Sequence, residues 1–453
     1  MDDPRPEMLA DQLPRRLGGW NALAVLVSMI IGSGIFRAPR GTAAATGTAG
    51  GVMLCWLVGG VIALCGVLTV AELSSMFPRA GGMYVYLRET YGSLPAFLLG
   101  WIDVLVLPAA AAAIALVFAN YLGTFIPLGT AGTRVAAAVV IVAVAGVNYR
   151  SLRVAAALQG VATPAKVLAL FALAGIIFAF GKGGGALARA PEYAPRSAGG
   201  FGVALIAVLF SYDGWAQFSS LAGEVRDPGR LLPRVFIGGM LLVIAVYLTI
   251  NAAYLYALPV EAMANSPIVA VDALRLAVGP AAGAIVAALV VLSTFAALNS
   301  LLIAEPRLFY AMAADGVFFR ALAAVHPRYK TPHVAIVFTA VLAVLYAGFR
   351  SFEQLAEAFV IATWPFFTLA VAGVFVLRRR RPELSRPYRT VGYPVVPIVF
   401  ILAGVLLVGN ALLRHPASTL AVFGATLAGW PVHYYWLKRA RRGVPKTLGR
   451  AAS

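Results

Sequence analysis

The chain has 453 residues, 61% of them hydrophobic and only 12% charged. Soluble domains carry about 25% charged residues, so this composition excludes an ordinary soluble enzyme. The net charge of +18 raises nucleic acid as a partner, but most Lys and Arg fall in loops on one side of a series of apolar runs, which is the pattern of a membrane protein rather than of a nucleic-acid binder.

Residues 1–17 are a polar lead without a cleavage site behind the first apolar run, so they do not form a signal peptide. Runs of about 20 apolar residues, each long enough to cross a bilayer as a helix, then recur along the whole chain. We place twelve spans at 18–46, 49–76, 95–126, 133–148, 163–181, 200–223, 234–257, 280–312, 333–349, 354–377, 392–413 and 417–437. Segment 77–96 is amphipathic and lies at the membrane surface; segment 258–279 is a long outer loop with helical stretches. A basic tail, 438–453, closes the chain. The loops on the N-terminal side hold the excess of Lys and Arg, which places both termini in the cytoplasm and the protein in the plasma (inner) membrane. The run Arg378 to Arg381 reads as a stop at the cytoplasmic face, in contact with anionic lipid. Cys55 and Cys65 both lie in the second span, so neither a disulfide framework nor a metal spacing exists, and no cofactor is implied.

Two spans are interrupted. The first breaks at Gly32-Ser33-Gly34 inside "IIGSGIF" (30–36), the sixth inside "FSYDGW" (210–215). Backbone released from a helix at membrane depth must face protein or a cavity. The breaks are five spans apart, so the second lies in a set of spans that runs in the opposite sense. Interrupted helices at matching positions of two inverted halves point to a transporter's central site; packing glycines are the alternative for either break alone. The glycines let a ligand approach bare backbone. A second half-helix starting near Ile35 offers N–H groups and a positive dipole end to an anion, and a first half-helix ending near Ile30 offers carbonyls to a cation. Both ends together fit the carboxylate and ammonium of an amino acid.

At these residues the chain resembles the amino acid–polyamine–organocation transporters, and among them the L-type amino acid transporters. The matching stretches are "IIGSGIF", "FPRAGGMYVYLRETYG" (77–92), "FSYDGWAQFSSLAGEVRDPGRLLPR" (210–234), "YLTINAAY" (247–254) and "EPRLFYAMAADG" (305–316), spread over nearly the whole chain. The resemblance implies an all-α, leucine-transporter-type fold: a five-plus-five inverted repeat, 18–181 and 200–377, with broken helices 1 and 6, and two extra helices in 392–437. It implies a substrate carboxylate on the backbone of Gly32, Ser33 and Gly34, and an ammonium on the carbonyls of Ile30 and Phe210. The Phe210 ring would serve as outer gate. Ser211, Tyr212, Asp213 and Trp215 belong to the same break motif; Trp215 either lines the side-chain pocket or packs as an ordinary aromatic, and Asp213 is expected to shape substrate choice. Lys166 matches a lysine that stands in for sodium in related transporters, and Tyr247 matches a tyrosine of the seventh span. The loop after the third span, "FIPLGTAGTR", has no cysteine, so a disulfide-linked heavy subunit is not expected.

Lys166 lies deep in an apolar span, where a lysine costs about 2.5–3.5 kcal/mol. Its acceptors are expected to be carbonyls near Gly32 and the hydroxyl of Ser293 or Thr294. Glu72 and Glu224 sit near span ends, where ordinary solvation is favoured over a gate of ion pairs with Arg79 or Arg226. Asp103 and Glu305 have no assigned role. The four histidines (326, 333, 415 and 433) are placed at loop edges and form no proton relay. No nucleophile–base or metal constellation of an enzyme is visible. The expected function is sodium-independent exchange of neutral or cationic amino acids by alternating access, with a proton-coupled symporter of the same fold as the alternative and a channel or membrane enzyme as the distant ones.

Overall fold

The structure, a computed structural model, describes residues 13–181, 183, 200–349, 352–414 and 416–442. The first part of the N-terminal lead, most of the 182–199 loop, His415 and most of the basic tail lie outside the described residues.

Apolar segments surrounded by hydrocarbon must satisfy their backbone within themselves, so they form helices. The first span is a bent pair, α1 (Gly19–Ile30) and α2 (Gly34–Thr46), which meet at 40°. Gly47, with φ +72°, ends α2. Helix α3 (Ala49–Met76) follows, its N-terminus capped by Thr48, whose hydroxyl accepts the Gly51 N–H. Next come the short surface helix α4 (Met83–Tyr91), then α5 (Ser93–Leu122), α6 (Thr130–Arg150) and α7 (Leu152–Phe180). The sixth span is broken like the first: α8 (Gly200–Ser211), a bend at Gly214, then the single turn α9 (Trp215–Phe218) and a 3-10 stretch (Ser219–Glu224). Helix α10 (Pro228–Ala257), two outer-loop helices α11 (Val260–Asn265) and α12 (Val269–Val278), and α13 (Ala282–Ala314) come next, followed by α14 (His333–Phe349), α15 (Phe352–Arg380), α16 (Val395–Arg414), α17 (Pro416–Leu427) and α18 (Gly429–Arg442).

Among the described residues nine helices are long and apolar enough to cross a membrane, ten with the bent pair counted as one span. The other two expected spans are present in another form. The ninth, α14, has only 17 residues. The twelfth is not one helix: α17 and α18 meet at Ala428, where the Trp101 ring of α5 packs so close to Gly429 that a Cβ there would lie 2.7 Å from it. The same indole donates to the Ala425 carbonyl at 2.9 Å, which an uninterrupted helix would have used itself. The fifth span starts eleven residues before its expected limit, because Pro164 stays inside α7. A proline frees the carbonyl four residues earlier, and here that carbonyl, Gly160 O, accepts the Trp20 indole N–H at 3.3 Å.

The spans pair as two halves of opposite sense require. Half-helices α1 and α2 pack on α9 and α8, α3 on α10, α5 on α13, and α6 on α14. Each of these is a contact between spans five places apart.

On the face that carries the N-terminal lead, the bundle is sealed by ion pairs. Glu224 and Arg307 are both almost completely buried, and the Arg307 Nε donates to Glu224 at 2.7 Å. The Glu224 backbone carbonyl takes the N–H groups of Arg16 and Leu17, and Leu17 and Val225 form a β-bridge. Asp315 accepts from Arg88 and from the Tyr84 hydroxyl. Burial opposes the Arg88 charge, but Asp315 outweighs it and holds the guanidinium pKa above its ordinary value. Glu72, fully buried, accepts from Arg378 at 2.7 and 3.0 Å and from both the N–H and the hydroxyl of Thr390. The expected solvation of Glu72 and Glu224 is therefore corrected, and so are their expected partners, Arg79 and Arg226. Arg378 and Arg381 of the basic run turn to Glu72 and Glu89. His433 lies inside α18 rather than at a loop edge, half a hydrogen-bond pair with Ser93 at 3.2 Å.

Removing one member of a buried ion pair leaves the other charge uncompensated, at about 3–5 kcal/mol. Arg307→Ala is expected to lower thermal stability of the detergent-purified protein by a loss of that order. Arg275→Ala, which removes an exposed pair with Asp272, is expected to cost less than about 1 kcal/mol. Equal melting temperatures for the two variants would contradict this account of the seal.

Candidate functional site

The two breaks meet at the centre of the bundle. Helix α1 stops at Ile30 and α2 starts at Gly34, so only Ile31, Gly32 and Ser33 leave the helical path. Neither Gly32 nor Gly34 adopts a left-handed conformation. The left-handed glycine is Gly214 in the other break, with φ +119°, and a Cβ there would lie 2.8 Å from the Met29 carbonyl. Gly34 is needed for close approach: a Cβ would meet the Ser211 Oγ at 2.6 Å. Gly32 is freer, its nearest neighbour being Ala297 at 3.8 Å.

Four side chains hold the loose ends. The Lys166 ammonium, fully buried, donates to the carbonyls of Ser28 (3.0 Å) and Ile31 (2.6 Å) and to the Ser28 hydroxyl (3.0 Å). The predicted carbonyl contact at the break is thus present, one residue from Gly32. The hydroxyl is Ser28 instead of Ser293 or Thr294. Ser293 works beside Lys166, its hydroxyl lying 3.3 Å from the carbonyls of Ile31 and Gly32. Thr294 bonds back to Val290 in its own helix and takes no part. The Tyr247 hydroxyl, also buried, sits 3.0 Å from the Ile30 carbonyl and 2.9 Å from the Ser211 carbonyl. One phenol proton thereby joins the C-terminal ends of α1 and α8. Thr163 adds a bond from α7 to the Ala24 carbonyl at 2.9 Å.

Around the breaks lies a cavity of about 670 Å³, counting its open side. Its polar wall is Gly32, Ser33, Gly34, Ser211, Asp213 and Gln217; its apolar wall comes from Phe210, α5 (Leu107, Ala110, Ala113, Ile114) and Leu301 of α13. The first N–H groups of α2 have no acceptor in a preceding turn, which makes this helix start an anion site. The predicted cation end is different in detail. Ile30 O already accepts the Gly32 N–H and the Tyr247 hydroxyl, which uses both lone pairs of a carbonyl. Phe210 O accepts the Asp213 N–H at 3.2 Å. Asp213, 9% exposed, carries a carboxylate on the cavity wall, held by Gln217 at 3.3 Å.

Three of the expected binding residues do not reach the cavity. Ile35 is buried on the packed side of α2. Tyr212 joins Trp56 and Tyr247 in an aromatic cluster and donates to the Trp56 carbonyl. Trp215 packs edge-on against Phe400, 5.7 Å between ring centres, which decides its open alternative for packing. Sequence reasoning missed Ser28, Gly214 and Gln217. A serine three residues before Ile31 was the available signal for the first, since both carbonyls then fall on the side of α1 that meets Lys166.

A broken-helix bundle with a central cavity of this kind is the architecture of a secondary transporter. The amino acid permease family model matches residues 17–436, and the chain belongs to that family. It is 31% identical over 431 residues to the serine/threonine exchanger SteT of Bacillus subtilis, covering 94% of this chain and 98% of that one. It is 32% identical to the human b(0,+)-type amino acid transporter 1 over 412 residues, 89% of this chain and 84% of the relative. The human large neutral amino acids transporter small subunit 2 is 32% identical over 447 residues, 94% and 81% of the two chains. The protein is an amino acid transporter that spans the membrane several times, not an enzyme.

The close approach at Gly34 yields a sharp contrast. Gly34→Val is expected to give an inserted protein whose amino acid affinity, read as ligand-induced thermal stabilisation, falls about tenfold or more. Gly32→Ala is expected to be tolerated in folding. Wild-type affinity in Gly34→Val would place the ligand elsewhere.

Proposed function

We propose that the protein exchanges L-amino acids across the membrane by alternating access, without sodium. The observation that carries this reading is Lys166: an ammonium fixed at the carbonyl end of α1, where a dissociable cation would otherwise be required. The substrate carboxylate takes the N–H groups at Ser33 and Gly34, beside Gly32, whose own N–H is held by the Ile30 carbonyl. Its ammonium turns to the opposite side, toward the Phe210 carbonyl and Asp213, and Phe210 closes the cavity from outside. Support for exchange comes from the similarity to a bacterial serine/threonine exchanger, and it favours small neutral substrates. Both cysteines are buried in α3, and the full sequence holds no others. That supports a carrier working without a disulfide-linked partner. The sealed, Arg-rich face is cytoplasmic in this reading, with both termini on it, in the plasma (inner) membrane.

Competition by the twenty amino acids on purified protein identifies the substrate. Counterflow into loaded proteoliposomes with choline in place of sodium then tests the mechanism. Exchange that persists without sodium is expected; uptake that needs a sodium gradient would overturn the role of Lys166, and equal uptake into empty vesicles would replace exchange by symport.

Two variants test the residues. In Lys166→Ala, substrate binding weakens or the cycle slows while the protein still inserts; an unaltered rate and apparent affinity remove Lys166 from the mechanism. In Asp213→Asn, the ranking of arginine, lysine, serine and alanine as competitors changes. An identical ranking makes Asp213 structural.

A further inference from the structure

Between the substrate cavity and the sealed face lies a second, smaller cavity, and Leu107 and Gln217 line both. It holds Asp103 of α5 and Glu305 of α13. Glu305 is 1% exposed and neither carboxyl oxygen has a hydrogen-bond partner; Asp103 is 6% exposed and its Oδ1 has none. Gln217, independently, lines this space with a buried Oε1 that has no partner while its amide N–H serves Asp213. The remaining wall is largely apolar, from Met83, Leu99, Leu308 and Phe367.

Among the described residues, the cations nearest the two acids are already engaged elsewhere. Of the groups on the packed elements, Arg307 of α13 pairs with Glu224 beside the 3-10 turn, and Arg88 and Tyr84 of α4 serve Asp315. Tyr86 of α4 donates to Ser74, and Arg378 of α15 is held by Glu72. Across the break, Asp213 adds only a further acid. Two ionised carboxylates without a counter-ion at membrane depth are far costlier than one acid O–H shared with a carboxylate. The free space of the cavity they line suits a water-sized occupant, not a guanidinium.

We propose that Asp103 and Glu305 form a proton-binding site, holding one proton between them on the floor of the substrate cavity. When the sealed face opens, water enters, the acid O–H bond breaks, and the proton leaves to water with the bonding pair staying on the carboxylate. Closure takes it up again. The existence of the site is independent of the exchange reading; its effect on transport rests on it.

The purified protein in lipid nanodiscs is the sample. Infrared spectra at neutral pH are expected to show the carbonyl band of a protonated carboxylic acid, lost in Asp103→Asn/Glu305→Gln. No such band in the wild type, or an unchanged band in the double variant, overturns the proposal. So does a band that appears only when choline replaces sodium, because sodium is then the occupant. In proteoliposomes, counterflow of serine is expected to fall several-fold as pH rises from mildly acid to mildly alkaline, and the profile to flatten in Glu305→Gln. A wild-type profile kept intact in Glu305→Gln counts against the site. Counterflow absent at every pH, with the band present and lost in the double variant, sinks the transport reading and leaves the proton site standing.

Discussion

A helix that stops in the middle of a membrane leaves carbonyls at its end that no water can satisfy, and the centre of this protein is organised around satisfying them. At the end of α1 the Val27 carbonyl keeps a partner in the Ile31 N–H. The Gly32 N–H, which would have closed the next turn, bonds to Ile30 instead, so Ser28 loses its helical donor. Lys166 supplies the replacement and reaches on to Ile31. Its positive charge also meets the negative end of the α1 dipole, where a cation is favoured. With α1 terminated in this way, the chain can turn through three residues and start α2, whose first N–H groups face the cavity. The buried lysine and the anion site are therefore two ends of one arrangement.

The second break is tied to the first by contacts between backbones. Gly214 brings its own chain against Met29, Gly34 brings α2 against Ser211, and Tyr247 joins the ends of α1 and α8. Side chains at either glycine would force the breaks apart. Such tight contact makes the half-helices move together, because packed interfaces switch between arrangements rather than stretch. The ion pairs of the sealed face belong to the same logic. Glu224 with Arg307 and Glu72 with Arg378 join distant elements, and each charge can be hydrated once the elements separate. A buried pair recovers little over its hydrated state, so such a face can close firmly without becoming impossible to open.

Much of this was legible in the sequence. Run length alone placed most spans to within a few residues, and the GSG and FSYDGW interruptions marked where two helices break beside the central cavity. What failed did so for identifiable reasons. The early start of α7 was hidden by Gln159 and Pro164, whose polar or donor-less character is offset by Ala296 O and by Trp20 from other helices. The break at Ala428 depends on a ring from α5. The partners of Glu72 and Glu224 lie 306 and 83 residues away, beyond any local pattern. The left-handed glycine, Gly214, lies in the second break and outside the more conspicuous GSG run, where a single glycine after Asp213 gives no pattern to read.

The division of charge across the break also limits where coupling can reside. A lysine covalently fixed to α7 stays with the protein through every cycle, so the carbonyl end of α1 holds no metal cation whose dissociation could link transport to a sodium gradient. Any such link must come from a group able to lose its occupant. Among the described residues, the buried acids on the cavity side of the bundle are Asp213, Asp103 and Glu305, and only the last two share a cavity with unpartnered oxygens. They sit on α5 and α13, between the central cavity and the ion-paired face. The same fold thus separates two arrangements: a lysine bound to the carbonyls at the end of the broken helix, and a pair of unpartnered carboxyl groups in a cavity of their own.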